Sequence, residues 1–141
     1  MKKFKTFDTN EFILNPFTKI GSDWMLITSK DNEGKTNTMT ASWGGFGFIW
    51  NKNVAFIFVR PQRYTKEFID TSNKFSLCFF DESYKKNLSY LGSVSGKNEN
   101  KIEKSMLTLS NIRDVPVFEE AEVIISCENL YKQVFLQRRF Y

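Results

Sequence analysis

The uninterrupted apolar run of strand length at residues 54–59 (VAFIFV), with a further strand predicted at 75–80 (FSLCFF), constrains this chain more than any other feature. A run without polar alternation reads as a strand covered on both faces, which puts residues 54–59 at the centre of a barrel. Residues 24–29 (WMLITS) are rich in apolar and β-branched side chains and lead into Asp31, Asn32, Glu33 and Gly34, a cluster of turn formers. The β pattern resumes over residues 36–43, so this stretch predicts a hairpin. Gly44, Gly45 and Gly47 then predict a break in regular structure. After residue 59, Pro61 ends the strand, and Thr65 is placed to cap a short helix carrying Phe68 and Ile69.

Further along, Asp81 and Ser83 stand ahead of Tyr84, Leu88 and Leu91, which share one helical face, and Gly92 is expected to stop that helix. Residues 92–100 (GSVSGKNEN) have loop composition, residues 102–109 can hold a helical turn, and residues 122–127 predict a last strand. At least five strands and two or three short helices, without βαβ alternation, predict a mainly β fold: an antiparallel β-barrel with accessory helices. At 141 residues and 16.6 kDa the chain has room for one domain, expected over residues 1–141.

Charge and residue counts narrow the function. The net charge of +4 resides largely in residues 132–141, where Lys132, Arg138 and Arg139 meet no acid. The other 131 residues hold 17 basic and 16 acidic groups, with no internal basic cluster of the kind a phosphate-backbone binder needs. Single-stranded nucleic-acid binding through aromatics and the basic tail is therefore the third choice of function, and no nucleic-acid partner is expected. There is no histidine, which excludes Cys-His and Ser-His catalysis and argues against a metal site. Cys78 and Cys127 lie 49 positions apart in apolar runs. Buried reduced thiols acting as small hydrophobes are favoured there over a redox pair or nucleophile. The N-terminus lacks an apolar signal core and no stretch approaches the ~20 apolar residues of a membrane span, so the expected compartment is the cytoplasm, with no membrane partner. The aromatic fraction of 16%, mostly 15 Phe, implies either a packed β core or a surface that stacks planar rings.

Two segments can carry chemistry. Asn37-Thr38-Met39-Thr40-Ala41-Ser42-Trp43-Gly44-Gly45 gathers hydroxyls, a thioether, an indole and glycines at the end of a strand. A flat, polar ligand could dock there, or the segment is a Thr-rich strand entering a glycine loop with a core tryptophan. Arg60-Pro61-Gln62-Arg63-Tyr64-Thr65 sits where a strand gives way to a helix N-terminus. Free amides, a hydroxyl and two arginines suit an anion there, and a solvated turn is the equal alternative.

Taken in order and spacing, N-T-M-T-A-S-W-G-G, the strand that follows, R-P-Q-R-Y-T-K-E-F-I, F-S-L-C-F-F and Y-L-G-S-x-S-G-K resemble the flavin reductase-like, flavoredoxin-type FMN-binding proteins, over about residues 14–131. The resemblance implies a split β-barrel that forms a homodimer with FMN at the subunit interface. It implies that Thr38, Met39, Thr40, Ala41, Ser42 and Trp43 contact the flavin ring and ribityl chain, and that Arg60, Arg63, Tyr64 and Thr65 cradle the phosphate. Ser93, Ser95, Gly96 and Lys97 match a loop that approaches the flavin, with Lys101 a further charge there. The implied activity is an FMN-dependent oxidoreductase that passes electrons from NADH, NADPH or a redox partner protein to flavin or a downstream acceptor. No residue need act as a general acid, because the flavin carries the redox chemistry. A flavin-binding module without turnover is the alternative of another class. Beyond Gln133 the family pattern continues with a helical segment and a final strand. Residues 134–141 (VFLQRRFY) depart from it, which implies a truncated or frameshifted chain with an exposed barrel edge.

Overall fold

The hairpin predicted around residues 31–34 forms because Asp31 organises its own turn. Its carboxylate accepts from the amides of Glu33 (3.0 Å) and Lys35 (2.9 Å), and its amide donates to the Lys35 carbonyl. In this computed structural model, which describes residues 4–134, strands β1 (Met25–Lys30) and β2 (Thr36–Ala41) pair antiparallel, with Met25 opposite Ala41 and Lys30 opposite Thr36. They are preceded by helix α1 (Pro16–Gly21) and followed by a second hairpin, β3 (Gly44–Ile49) and β4 (Lys52–Ile57). Next come helix α2 (Thr65–Ser72), strand β5 (Lys74–Phe79), helices α3 (Lys85–Ser93) and α4 (Lys101–Lys104), the hairpin β6 (Leu109–Ile112) and β7 (Val115–Phe118), and strand β8 (Val123–Glu128).

One four-stranded antiparallel sheet, in the order β2-β1-β5-β8, carries the other elements. Successive side chains of a strand point to opposite faces, and here both faces of β1 and β5 are covered. Met25, Ile27, Leu77 and Phe79 enter a cluster with Met39, Ile69 and residues of the β3–β4 hairpin. Leu26 and Cys78 enter a second cluster with Leu88, Leu91, Val117 and Phe118. The fold is thus mainly β with accessory helices, as the sequence predicts.

Several local expectations are corrected. Residues 54–59 are not covered on both faces at a barrel centre: β4 pairs with β3, and Ala55 and Ile57 pack inward while Phe56 and Phe58 stand 46% and 50% exposed. One chain supplies cover for one face of that hairpin only. The glycine stretch at 44–47 is strand β3 rather than a break, because the glycines admit the Phe56 side of β4 at short range. Gly44 sits at φ +154°, and a Cβ there would lie 2.5 Å from the Phe56 carbonyl oxygen. Thr65 is the first residue of α2 rather than its cap, and Gly92 lies inside α3, which ends at Ser93. Two features escaped the sequence reading. Helix α1 starts at Pro16, capped by the Asn15 side chain, which accepts from the Phe17 amide at 3.0 Å. The β6–β7 hairpin turns on Arg113 and Asp114, both at positive φ, with no glycine to announce it.

The cysteines lie on neighbouring strands out of register, with Cys127 opposite Phe75 and Cys78 opposite Ile124, and both are free thiols. Burial pushes Cys78 up to about 11 and Cys127 up to about 12, so neither is a thiolate at neutral pH. No helix among the described residues is long and apolar enough to cross a membrane. The divergent stretch at 134–141 lies, from residue 135 onward, outside the described residues.

Gly44→Ala should destabilise the protein by about 1 to 3 kcal/mol, since its Cβ meets backbone at a positive φ. Gly45→Ala, whose Cβ would meet only the Phe56 ring at 3.7 Å, should cost well under that. Urea midpoints of the two variants at unchanged m-value are the check.

Candidate functional site

Helix α3 rests on strand β2 because Gly92 has no side chain to hold them apart: a Cβ there would lie 3.1 Å from the Thr40 Cβ. The Thr40 hydroxyl donates to the Leu88 carbonyl, an i−4 neighbour of Gly92 along the helix. Beside this contact opens a cavity of about 280 Å³ whose wall includes Trp24, Thr40, Ala41, Ser42, Arg63, Ser89, Gly92 and Ser93. Arg63 reaches it from the turn before α2 and donates through Nη2 to the Thr40 carbonyl at 3.3 Å. Burial, and then the nearby Arg60 charge, hold the Arg63 guanidinium below its ordinary range. Arg60 lies over the Trp43 ring, with its Cζ 4.7 Å from the centroid, and Trp43 is itself 53% exposed.

The alternation of β2 divides the residues of its motif. Thr40 and Ser42 line the cavity, and Trp43, next in sequence, lies under Arg60. Met39 and Ala41 belong to the apolar core, with Ala41 also touching the cavity wall. Thr38 is fully buried, its hydroxyl 2.8 Å from that of Thr28 and donating to the Ile27 carbonyl at 3.1 Å. Thr38 therefore ties β1 to β2 within the sheet.

The R-P-Q-R-Y-T turn is divided as well. Arg63 lines the first cavity and Arg60 covers the Trp43 ring, whereas Tyr64 and Thr65 bond to Lys35 and Asn37. The Thr65 hydroxyl, buried, accepts from Asn37 Nδ2 at 2.8 Å, and the Tyr64 hydroxyl accepts from Lys35 Nζ at 3.1 Å. Lys35 and Lys97 each place Nζ 5.3 Å from the Tyr64 ring centroid. The amides of Lys66 and Glu67 bond to the carbonyls of Arg63 and Tyr64, so the side chains of the arginines are the stronger anion donors of this turn. Gly96 packs its backbone against Asn37, where a Cβ would fall 2.1 Å from Oδ1. Asn37, Gly96 and Lys97 border a second cavity of about 710 Å³, together with Lys35 and Lys101. Ser93 donates to the Tyr90 carbonyl at 2.8 Å and Ser95 accepts from the Lys97 amide at 3.2 Å.

Lys101 lies between the two regions. It is 4% exposed and donates to the carbonyls of Leu91 (2.9 Å) and Val94 (3.1 Å). Burial, and then the Arg63 charge, bring it down to about 8 against an opposing pull from Glu99. Among the described residues no carboxylate comes within 4 Å of Arg60, Arg63 or Lys101, although seven other ion pairs form. Arg60 and Arg63, two neighbouring cations without a carboxylate partner, form a site that favours an anion, while Lys101 feels Glu99. Sequence reasoning missed Trp24, Ser89 and Lys35. Trp24 stands at φ 69° with Lys85 over its ring at 3.5 Å, and neither feature is visible before the strands are assembled.

Residues 17–133 match the model of the flavin reductase like domain, and the chain belongs to that family. Its architecture is that of solved flavoproteins. The flavoredoxin of Desulfovibrio vulgaris (Miyazaki F) superposes with a TM-score of 0.72 at 23% identity, over 96% of this chain and 69% of the other. The FMN-binding domain of a flavin reductases-like enzyme from Shewanella baltica gives 0.69 at 18% identity, over 80% of this chain and 60% of the other. A Shewanella frigidimarina protein with a split barrel domain gives 0.72 at 20% identity, over 94% and 72%. This chain thus spans only 60% of the length of the Shewanella baltica protein. Comparison with curated proteins gives no match.

Gly92→Val should push α3 off β2 and reshape the first cavity, at a stability cost of about 1 to 3 kcal/mol typical of overpacking. Chemical denaturation gives the cost, and loss of the Thr40–Leu88 hydrogen bond would appear as faster amide exchange in α3.

Proposed function

We propose that this chain is a single-domain FMN-binding flavoprotein that passes electrons between NADH, NADPH or a protein donor and flavin or a downstream acceptor. The observation that carries the reading is the pair Arg60 and Arg63, without a carboxylate partner, beside an exposed Trp43 and the hydroxyls of Thr40 and Ser42. An anionic group and a planar, hydrogen-bonding ring are what these donors would recognise, and FMN has both. Arg60 and Arg63 would hold the phosphate, and Thr40, Ser42 and Trp43 the ring system and its polar edge. When bound, FMN supplies the redox chemistry. The protein's residues orient it, and the partial burial of Arg63 keeps its charge poorly screened by water. With no histidine in the chain and no carboxylate paired to these cations, a role in positioning and electrostatics suits the site better than one in proton transfer.

A homodimer fits the same geometry. Pockets that enclose a cofactor-sized ligand hold roughly 300 to 1,000 Å³, and the first cavity, at about 280 Å³, falls short of enclosing FMN from one chain. Trp43, Phe48, Trp50, Phe56 and Phe58 are exposed on and next to the β3–β4 hairpin, an apolar face that a second copy could cover while adding the missing wall. Free thiols at Cys78 and Cys127 suit a reducing compartment such as the cytoplasm. A flavin-holding module without turnover differs from this reading in one outcome: it binds FMN and oxidises neither NADH nor NADPH.

Arg63→Ala and Trp43→Ala should fail differently. Loss of one charge-assisted bond should cost about 1.5 to 3 kcal/mol, or roughly ten- to a hundredfold in FMN affinity, with riboflavin little changed. Loss of the Trp43 ring should weaken both flavins alike. Fluorescence titration of both flavins against both variants decides, and equal losses on Arg63→Ala with none on Trp43→Ala would defeat the assignment.

Light scattering at micromolar concentration should give twice the 16.6 kDa chain mass. A monomer that still binds FMN tightly would rule out a site completed by a second copy.

A further inference from the structure

We propose that Lys101 is a positioning residue for the flavin cavity: its ammonium clamps the Leu91 and Val94 carbonyls and so fixes the wall residues Gly92 and Ser93, which lie between them. This rests on the flavin reading of the first cavity, and it gives Lys101 a role other than contact with the cofactor phosphate.

The end of α3 explains why a clamp is needed. The last carbonyls of a helix have no partner within it, and a left-handed residue, most often glycine, usually turns the chain to satisfy them. Here the C-cap is Val94, extended at φ −125° and ψ 158°. Lys101 fills the gap, with Nζ donating to Leu91 inside the last turn at 2.9 Å and to Val94 just beyond it at 3.1 Å. A cation at this end also meets the negative pole of the helix dipole. The two clamped carbonyls bracket Gly92 and Ser93, both of which line the 280 Å³ cavity with Arg63. Lys101 is itself held by α4, where its carbonyl accepts from the Ser105 amide at 2.9 Å and the Asn100 side chain caps the helix. With the residue 4% exposed and two of its donors engaged on the backbone, the ammonium is committed to the protein.

The clamp should respond to pH. Arg63 faces Lys101 from the turn before α2 and Glu99 from the segment before α4. Behind Glu99 stand Lys104 of α4, at 2.8 Å, and the Tyr90 hydroxyl of α3, at 3.0 Å. Burial and Arg63 outweigh Glu99, and Lys101 loses its proton near pH 8. The unfolded chain keeps that proton to about pH 10.4, so between these values this group makes global stability rise with pH. A local opening of residues 92–97 that releases Lys101 to water follows the same linkage, so the closed end of α3 is also favoured as pH rises above 8.

Amide hydrogen exchange on the flavin-free protein between pH 6.5 and 9 tests this. Corrected for intrinsic rates, protection over residues 92–97 should rise by about tenfold from pH 6.5 to 9 in the wild type. In Lys101→Met it should be flat with pH and lie below the wild type at pH 9, while β1 and β5 stay protected. Lys101→Met should also weaken FMN and riboflavin by the same factor, about tenfold. Wild-type protection that ignores pH overturns the proposal, as does a variant that loses FMN and keeps riboflavin, the signature of direct phosphate contact. Should Lys101→Met fail to fold, the wild-type pH series still decides. A wild type that binds neither flavin would defeat the flavin reading, while the exchange data would still decide the clamp.

Discussion

Everything in this fold hangs on two strands covered on both sides. β1 and β5 lie next to each other at the centre of the four-stranded sheet, and each sends alternate side chains into a different apolar cluster. The strand period of two thereby becomes a device for joining two cores through one sheet. The first cluster recruits α2 through Ile69 and the β3–β4 hairpin through Phe46 and Ile57, and the second recruits α3 through Leu88 and Leu91 and the β6–β7 hairpin through Val117 and Phe118. The candidate site is a consequence. α3 and the turn before α2 are brought to the same edge strand, β2, and their meeting at Thr40 forms the first cavity.

At that edge the packing is close and the charge is uncompensated, and these two properties depend on each other. Gly92 lets the helix approach to within contact of Thr40, which buries the end of α3 and with it the ammonium of Lys101 and part of Arg63. Desolvating a cation that has no ion-pair partner, as at Arg63, is costly, and a bound anion would offset that cost. The protein does satisfy its buried donors: among the described residues no buried side-chain nitrogen or oxygen lacks a hydrogen bond. What it leaves at Arg60 and Arg63 is unbalanced positive charge, which favours an anion.

The two motif segments illustrate how a strand and a turn distribute one stretch of sequence between two tasks. Thr38 and Thr40 are identical residues two positions apart on one face, yet Thr38 pairs with Thr28 inside the sheet while Thr40 faces the cavity and α3. Within the turn, Arg63 looks to β2, and its neighbour but one, Thr65, anchors Asn37 near the second cavity. A motif read as one binding surface is, in three dimensions, part scaffold and part site.

Strand runs, turn chemistry and helix faces were legible in the residues themselves, because they depend on local periodicity. Residues 24–43 form the expected hairpin through the Asp31 turn, residues 75–80 are buried throughout, and Leu88 and Leu91 face the core from one side of a helix. The ordered motifs also pointed to the family that the domain match shows. What depends on contacts between distant segments was not legible. Whether residues 54–59 are covered on one face or two depends on what packs against them, and the glycines of β3 become a strand only when β4 pairs with it. The turn at Arg113 and Asp114 relies on its tertiary setting, including an ion pair from Asp114 to Lys30, for a conformation its residue types disfavour. Lys101 belongs with these. Its sequence surroundings mark it only as a cation in a polar loop, and the helix end that claims its ammonium comes to it through the fold alone, since burial and hydrogen-bond partners are properties of assembled elements rather than of residue order.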